Sequence, residues 1–206
     1  MRLTVLARQD MDEQALLLAS KSGETGAFNY LVQHYQVQIY NLALRMLGDP
    51  AAAEDISQET FVSAFRKLHT FHEGNFRAWL FRIASNACRD QLRSARVRHN
   101  TSLDAMLEGA TLNPRSQAES PESFALRKEL ARKLQEGISG LPDDQRLVLL
   151  LVDLQGLSYE EAGEILKTPI GTVKSRLSRA RGAMRIFLMS NRELLPSQFR
   201  SLTVGD

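Results

Sequence analysis

Two helix starts lie so close together near the C-terminus that the chain between them must turn a tight corner. Ser158 and Glu161 have the spacing of a capping box, in which each side chain satisfies a free backbone donor at a helix start. The helix that begins at Tyr159 buries Ala162, Ile165 and Leu166 and breaks at Lys167. Thr168 and Pro169 then supply a fresh cap and first-turn residue for a second helix, in which Val173, Leu177, Ala180 and Met184 recur at steps of three and four and pack on the first. Two helices joined so tightly form a helix-turn-helix, from Gly156 to about Met189.

The opposite stripe of the second helix carries Thr172, Ser175 and Arg179, flanked by Lys174, Arg176 and Arg181. An α-helix fits the major groove of B-DNA, where short hydroxyl and long guanidinium side chains reach base edges and phosphates. Lys174, Ser175 and Arg179 are the candidates for base readout, and Arg176, Arg181 and Arg185 for phosphate contact. A structural hairpin with a basic surface is the competing reading. The capping pattern and the single sign of charge favour DNA.

The formal net charge of +2 hides an alternation along the chain. Residues 10–61 hold 8 acidic and 2 basic side chains, and residues 66–99 hold 2 acidic and 8 basic. Residues 104–164 return to 12 acidic and 6 basic, and residues 167–192 carry 7 basic side chains and no acidic one. Two separated basic blocks suit two contacts on one long polyanion.

Helical punctuation recurs throughout and no segment reads as strand, so the expected fold is all-α. A short helix over about Asp12 to Ser22 precedes a longer one, Ala27 to Leu47, whose Phe28, Leu31, Tyr35, Ile39, Leu42 and Met46 share a face. Gly48 stops it, and Asp49 with Pro50 starts a third helix that turns Ala53, Ile56, Phe61, Ala64, Phe65 and Leu68 inward and Glu54, Asp55, Gln58 and Glu59 outward. A fourth helix, from near Asn75 to about Arg98, buries Phe76, Trp79, Leu80, Ile83 and Ala87. Its other face is a stripe of Arg82, Asn86, Arg89, Arg93 and Arg96. An ordinary solvated helix mixes signs, and this stripe does not. Periodicity is lost from about His99 to Ser123, which reads as a linker. A second helical unit starts near Phe124; its helix Pro142 to Gln155 opens on Asp143 and Asp144, suited to the helix dipole, and its run Leu147 to Val152 is apolar throughout.

Other functional classes find little support. No apolar run approaches the roughly 20 residues of a membrane span, and the stretch Leu3 to Ala7 is too short for a signal peptide, so a cytoplasmic location is expected. Cys88, the single cysteine, lies among apolar neighbours and reads as a buried small side chain. Among the 4 histidines only His69 and His72 have a ligand-like spacing, with no third ligand beside them. The carboxylates sit on outward helix faces without histidine company, which argues against a nucleic-acid-processing enzyme.

The string GTVKSRLSRAR, Gly171 to Arg181, following LSYEEAGEIL, Leu157 to Leu166, resembles the C-terminal domain of bacterial sigma factors of the extracytoplasmic function (ECF) subfamily. In the first half, AEDISQETFVSAF, Ala53 to Phe65, resembles that family's polymerase-binding helix, and FRAWLFRIASNACRDQLR, Phe76 to Arg93, its promoter-melting helix. The resemblance implies two small helical domains joined by a flexible linker: 1–98 for core polymerase binding and the minus-ten element, 99–123 the linker, 124–190 the helix-turn-helix domain for the minus-thirty-five element, and 191–206 a tail without assigned role.

It implies that Asp55, Gln58 and Glu59 contact the clamp helices of the polymerase's largest subunit. Arg82, Asn86, Arg89 and Arg93 would hold the minus-ten element, with Asn86 touching an extruded base and the loop Phe71 to Asn75 forming its pocket. Thr172, Lys174, Ser175, Arg176, Arg179 and Arg181 would read the minus-thirty-five element. The linker would pass through the polymerase near its active site. Core RNA polymerase, promoter DNA and an anti-sigma factor are the implied partners; no catalysis, cofactor, metal or small-molecule substrate is expected. A stand-alone regulator with a similar C-terminal unit would need a sensor in the first half, where the alternating strand and helix pattern of a phosphorylation domain is missing.

Overall fold

A computed structural model describes residues 12–72, 74–101 and 121–194, and every regular element among them is helical. Most of the expected linker (102–120), most of the expected tail (195–206) and Glu73 of the loop lie outside the described residues.

The first region is built from α1 (Glu13–Lys21), α2 (Thr25–Leu47), α3 (Pro50–Lys67) and α4 (Phe76–Thr101). Short polar side chains set where these helices begin. Asp12 accepts from the Ala15 amide at 3.1 Å, Asp49 from Ala51 at 2.8 Å, and the Asn75 side chain from Ala78 at 3.0 Å. Each satisfies a donor that a helix start leaves orphaned. Gly48, with φ of 76°, ends α2 in the left-handed region that a glycine adopts without a steric penalty.

All six apolar residues expected on the inner face of α2 are buried. On α3, Ala53, Ile56, Phe61, Ala64 and Leu68 are buried as expected, but Phe65 is 44% exposed and meets Phe28 edge to face, with centroids 5.0 Å apart. It stands one residue past Ala64, about 100° round the helix, and so falls at the rim. The inner face of α4 also differs from expectation. Phe76 and Leu80 are buried, but Phe81, Ala84 and Cys88 complete the set, while Trp79, Ile83 and Ala87 are half-buried. Burial pushes the Cys88 thiol up to about 12, which suits a packing role.

The second region comprises α5 (Pro121–Ser139), α6 (Asp143–Leu149), a π turn (Leu150–Leu154), α7 (Tyr159–Leu166) and α8 (Ile170–Ser190). Pro142 is the N-cap of α6, one position before the first-turn place its sequence suggests. In the π turn the Gln155 amide donates to the Leu150 carbonyl at 2.9 Å. The extra residue in that turn lets the continuous apolar run bury both Leu150 and Leu151 while Asp153 still reaches α8.

Buried residues of both regions form one connected apolar cluster. The C-terminal end of α2 is where the regions interlock. Gln135 of α5 donates to the Arg45 carbonyl at 3.2 Å, and Arg146 of α6 donates to the Met46 carbonyl at 2.6 Å. Arg146 is only 7% exposed; it also donates to the carbonyls of Leu141, at 3.1 Å, and Ser139. A buried guanidinium is tolerated there because carbonyls at the negative end of a helix dipole accept its protons. Burial nevertheless lowers its pKa. No helix among the described residues is long and apolar enough to cross a membrane.

Candidate nucleic-acid interface

The helix-turn-helix forms where the capping signals place it. Ser158 Oγ accepts from the Glu161 amide at 3.1 Å, and the Glu161 carboxylate accepts from the Ser158 amide at 2.7 Å, which completes the capping box. Lys167 ends α7 in the left-handed conformation, with φ of 51°. The second helix starts one residue later than its sequence suggests. Pro169 is its N-cap, and the Thr168 hydroxyl donates back to the Leu166 carbonyl at 3.1 Å instead of capping forward. The Thr168 amide also donates to the Gly163 carbonyl at 2.9 Å, drawing the turn onto α7.

Gly163 permits that approach. A Cβ there would stand 3.0 Å from the Thr168 carbonyl oxygen, a backbone atom with little room to yield. Gly163→Val should therefore cost about 1–3 kcal/mol of stability through overpacking. Thermal unfolding followed by circular dichroism checks this, and an unchanged or raised midpoint would show that the turn relaxes without cost.

On α8, Val173, Leu177 and Ala180 are buried and Met184 is half-buried, so the expected inner face is the observed one. Lys174, Ser175, Arg179 and Arg181 are exposed; Thr172 and Arg176 are half-buried. Thr172, Ser175 and Arg179 share the outward side of the helix, Lys174, Arg176 and Arg181 stand on its flanks, and the six differ in what holds them. The Lys174 ammonium lies over the Tyr159 ring, 5.7 Å from its centre, and Ser175 Oγ donates to the Thr172 carbonyl at 3.0 Å. Arg181 makes a two-pronged contact with Asp153, at 2.9 and 2.6 Å, and that carboxylate raises its pKa. Arg176 reaches Asp144 at 2.6 Å.

On α4, Asn86 and Arg93 are exposed and Arg82 and Arg89 half-buried. The stripe does not simply face solvent. Arg89 pairs with Asp144 at 3.2 Å and Arg96 with Asp143 at 2.9 Å, both across the boundary between the regions. Arg77, in the first turn of the same helix, donates to Gln38 at 3.3 Å and to the Gln155 carbonyl.

Beside the start of α4 lies a cavity of about 350 Å³, lined by Thr70, Phe71, His72, Asn75, Trp79 and Arg82 among others. Phe71 and Trp79 give it an aromatic wall, with centroids 5.3 Å apart, and Lys21 fixes the loop by donating to the Phe71 carbonyl. Trp79 is thus both packed and exposed to the cavity. Asn86 lines a different recess of about 180 Å³, between α3 and α4, with Glu59, Ser63, Lys67 and Asp90. The sequence joined Asn86 to the loop pocket; the structure sets them apart because Asn86 lies three helical turns along α4 from the loop.

Asp55, Gln58 and Glu59 stand together on the exposed side of α3, as their spacing requires. Val62 and Phe65, 49% and 44% exposed, continue that face as an apolar extension absent from the sequence reading. The ion-pair partners Asp143, Asp144 and Asp153 were also missed as site residues, because their pairings join segments far apart in sequence.

A helical DNA-binding protein with two arginine-bearing helices is what this fold and these surfaces define. Residues 31–98 match the family Sigma-70 region 2, and residues 131–184 match Sigma-70, region 4. The chain is 38% identical over 181 residues to the RNA polymerase sigma-H factor of Pseudomonas aeruginosa, covering 85% of this chain and 93% of that protein. It is 38% identical over 169 residues to the ECF RNA polymerase sigma factor SigW of Bacillus subtilis, covering 80% and 90%. Among solved structures, the sigma factor RpoE of Bartonella quintana, in complex with the anti-sigma factor NepR, shares 28% identity with a TM-score of 0.66, covering 78% of this chain and 96% of that one. CnrH, in complex with the cytosolic domain of CnrY, shares 27% identity with a TM-score of 0.65, covering 86% and 97%. The chain belongs to the ECF subfamily of bacterial RNA polymerase sigma factors.

Proposed function

We propose that this chain binds core RNA polymerase in the cytoplasm and directs it to promoters, supplying two DNA grips and catalysing no reaction itself. The observation that carries this reading is the pairing of a capped helix-turn-helix with a second arginine-bearing helix beside an aromatic-walled cavity. Asp55, Gln58 and Glu59 on α3 serve as the polymerase contact, opposite the clamp helices. The first region, 1–98, takes the minus-ten element: Arg82, Arg89 and Arg93 neutralise phosphates and Asn86 contacts a base. An extruded base enters the cavity at Phe71 and Trp79, where aromatic stacking and a nearby guanidinium suit a single strand.

The second region, 124–190, takes the minus-thirty-five element with α8. Lys174, Ser175 and Arg179, near the start of that helix, read bases with support from Thr172; Arg176 and Arg181 grip phosphates once released from Asp144 and Asp153. Residues 99–123 connect the two. The likeness to the Bartonella RpoE, solved with an anti-sigma factor, supports control of this chain by an anti-sigma factor as well.

Run-off transcription on the organism's own promoters, with purified core polymerase and with or without this protein, tests the proposal. Transcripts should start only in its presence. Initiation by core polymerase alone would overturn the reading, as would tight, specific promoter binding by the chain without polymerase, the behaviour of a stand-alone regulator.

A further inference from the structure

Among the described residues, Lys174 is the base-reading candidate of α8 that a side chain of another helix holds. Ser175 turns its hydroxyl back to the Thr172 carbonyl of its own helix at 3.0 Å, and Arg179 is exposed. The Lys174 ammonium instead lies over the Tyr159 ring of α7, 5.7 Å from its centre. Tyr159 also faces Arg181: after Asp153, whose hydrogen bonds contribute most, its hydroxyl helps to raise the Arg181 pKa. Lys174 and Arg181 are seven residues apart, two helical turns to within about 20°, so they stand on the same flank of α8 and Tyr159 bridges them. Arg176, about 200° round the helix from Lys174, is turned to Asp144 instead.

Tyr159 is itself fixed. It is the first residue of α7, directly after the N-cap Ser158, so the reciprocal bonds of the capping box set its backbone, and its half-buried ring packs against the apolar core. A lysine carries its charge on a flexible stem, and few of its rotamers aim at one base edge. A ring face that holds the ammonium narrows those rotamers before DNA arrives, so less freedom is lost on binding. We propose that Tyr159 is a positioning residue for minus-thirty-five recognition, whose ring aims Lys174 at a base edge and whose hydroxyl directs Arg181 to a phosphate. The inference rests on the assignment of α8 to the minus-thirty-five element. It divides two effects within one side chain. The ring acts through a base contact and sets preference at one base pair, whereas the hydroxyl acts through a phosphate contact and sets affinity for every sequence.

In the test, holoenzyme reconstituted from core polymerase and the full-length chain is offered a promoter library randomised over the minus-thirty-five element, at one fixed salt concentration. Sequencing of the bound fraction gives the preference at each base pair. Lys174→Met, which removes the charge and keeps an unbranched stem, marks the base pair that Lys174 reads. Tyr159→Leu should lower the preference at that same base pair about fivefold, the scale of an exposed cation–π contact, and leave the other positions as in wild type. In the Lys174→Met background the leucine substitution should change nothing further at that position, a comparison that cancels any general loss of fold. Tyr159→Phe should keep every preference and weaken binding of all sequences about threefold. The proposal is overturned by an unchanged preference in Tyr159→Leu, by an equal loss at every position, or by a leucine effect that persists in the Lys174→Met background. Lys174→Met without effect on any base pair overturns it too, as does a phenylalanine variant that loses the preference or binds undiminished. Failure of the minus-thirty-five assignment itself would appear separately, as a wild-type holoenzyme with no preference at any randomised position.

Discussion

Reversing charge at Asp55 and Glu59 together, each to lysine, should weaken binding to core polymerase by about 100-fold or more while the thermal midpoint of the free protein stays within a few degrees. The two carboxylates lie four residues apart on α3, both exposed, with Gln58 beside them. A helix face of that kind contributes little to the fold, and surface substitutions typically change stability by less than about 0.5 kcal/mol. Against a basic partner surface the reversal replaces attraction with like-charge contact, which costs several kcal/mol; 100-fold corresponds to about 2.8 kcal/mol. Asn86→Ala should do the opposite, impairing promoter opening more than polymerase binding. Competition against labelled protein for core polymerase measures the first quantity, and permanganate footprinting at saturating polymerase the second. Equal loss of both in either variant would dissolve the division of roles between Asp55 and Glu59 on α3 and Asn86 on α4.

The features that sequence reasoning located well are those encoded within a few residues. Asp49 caps α3, Gly48 stops α2, and Ser158 with Glu161 closes the capping box, because each satisfies backbone groups in its own turn. The inner faces of α2 and α8 were legible for a related reason, since each helix presents one dominant apolar stripe. The errors at Pro142 and Pro169 are of one position. Proline fits both the N-cap conformation, with φ near −55°, and the first helical residue, and its identity alone does not distinguish them.

The relation between the two regions had no local signal. Asp143 and Asp144 read as acids favourable to a helix start, which they are, yet their partners Arg96, Arg89 and Arg176 lie on α4 and α8. Arg146 shows the same limit more sharply. Its position before an apolar run gives no sign that its guanidinium reaches the Met46 carbonyl, 100 residues earlier in the chain. The α4 stripe was recognised by its single sign of charge, and what the sequence withheld was that the acids opposing it come from this same chain.

The face of α4 supplies the second large expected effect. Two overlapping apolar stripes exist on this helix, one through Phe76, Leu80, Ile83 and Ala87, the other through Phe81, Ala84 and Cys88. Periodicity alone does not choose between them, because α4 packs against α2, α3 and α7 and so needs a wide apolar arc. In the structure Phe81 is fully buried, with the Arg77 guanidinium 5.4 Å from its ring centre, whereas Ile83 is half-buried at the recess beside α3. Phe81→Ala should therefore destabilise the protein by about 3–5 kcal/mol and lower the melting midpoint by roughly 10 °C. Ile83→Ala, which removes a side chain already partly in water, should cost only about 1 kcal/mol. Parallel thermal and urea unfolding of the two variants measures the difference. Equal losses, or a larger loss at Ile83, would mean that α4 sits rotated from the position described, and with it the direction in which Arg82, Arg89 and Arg93 face.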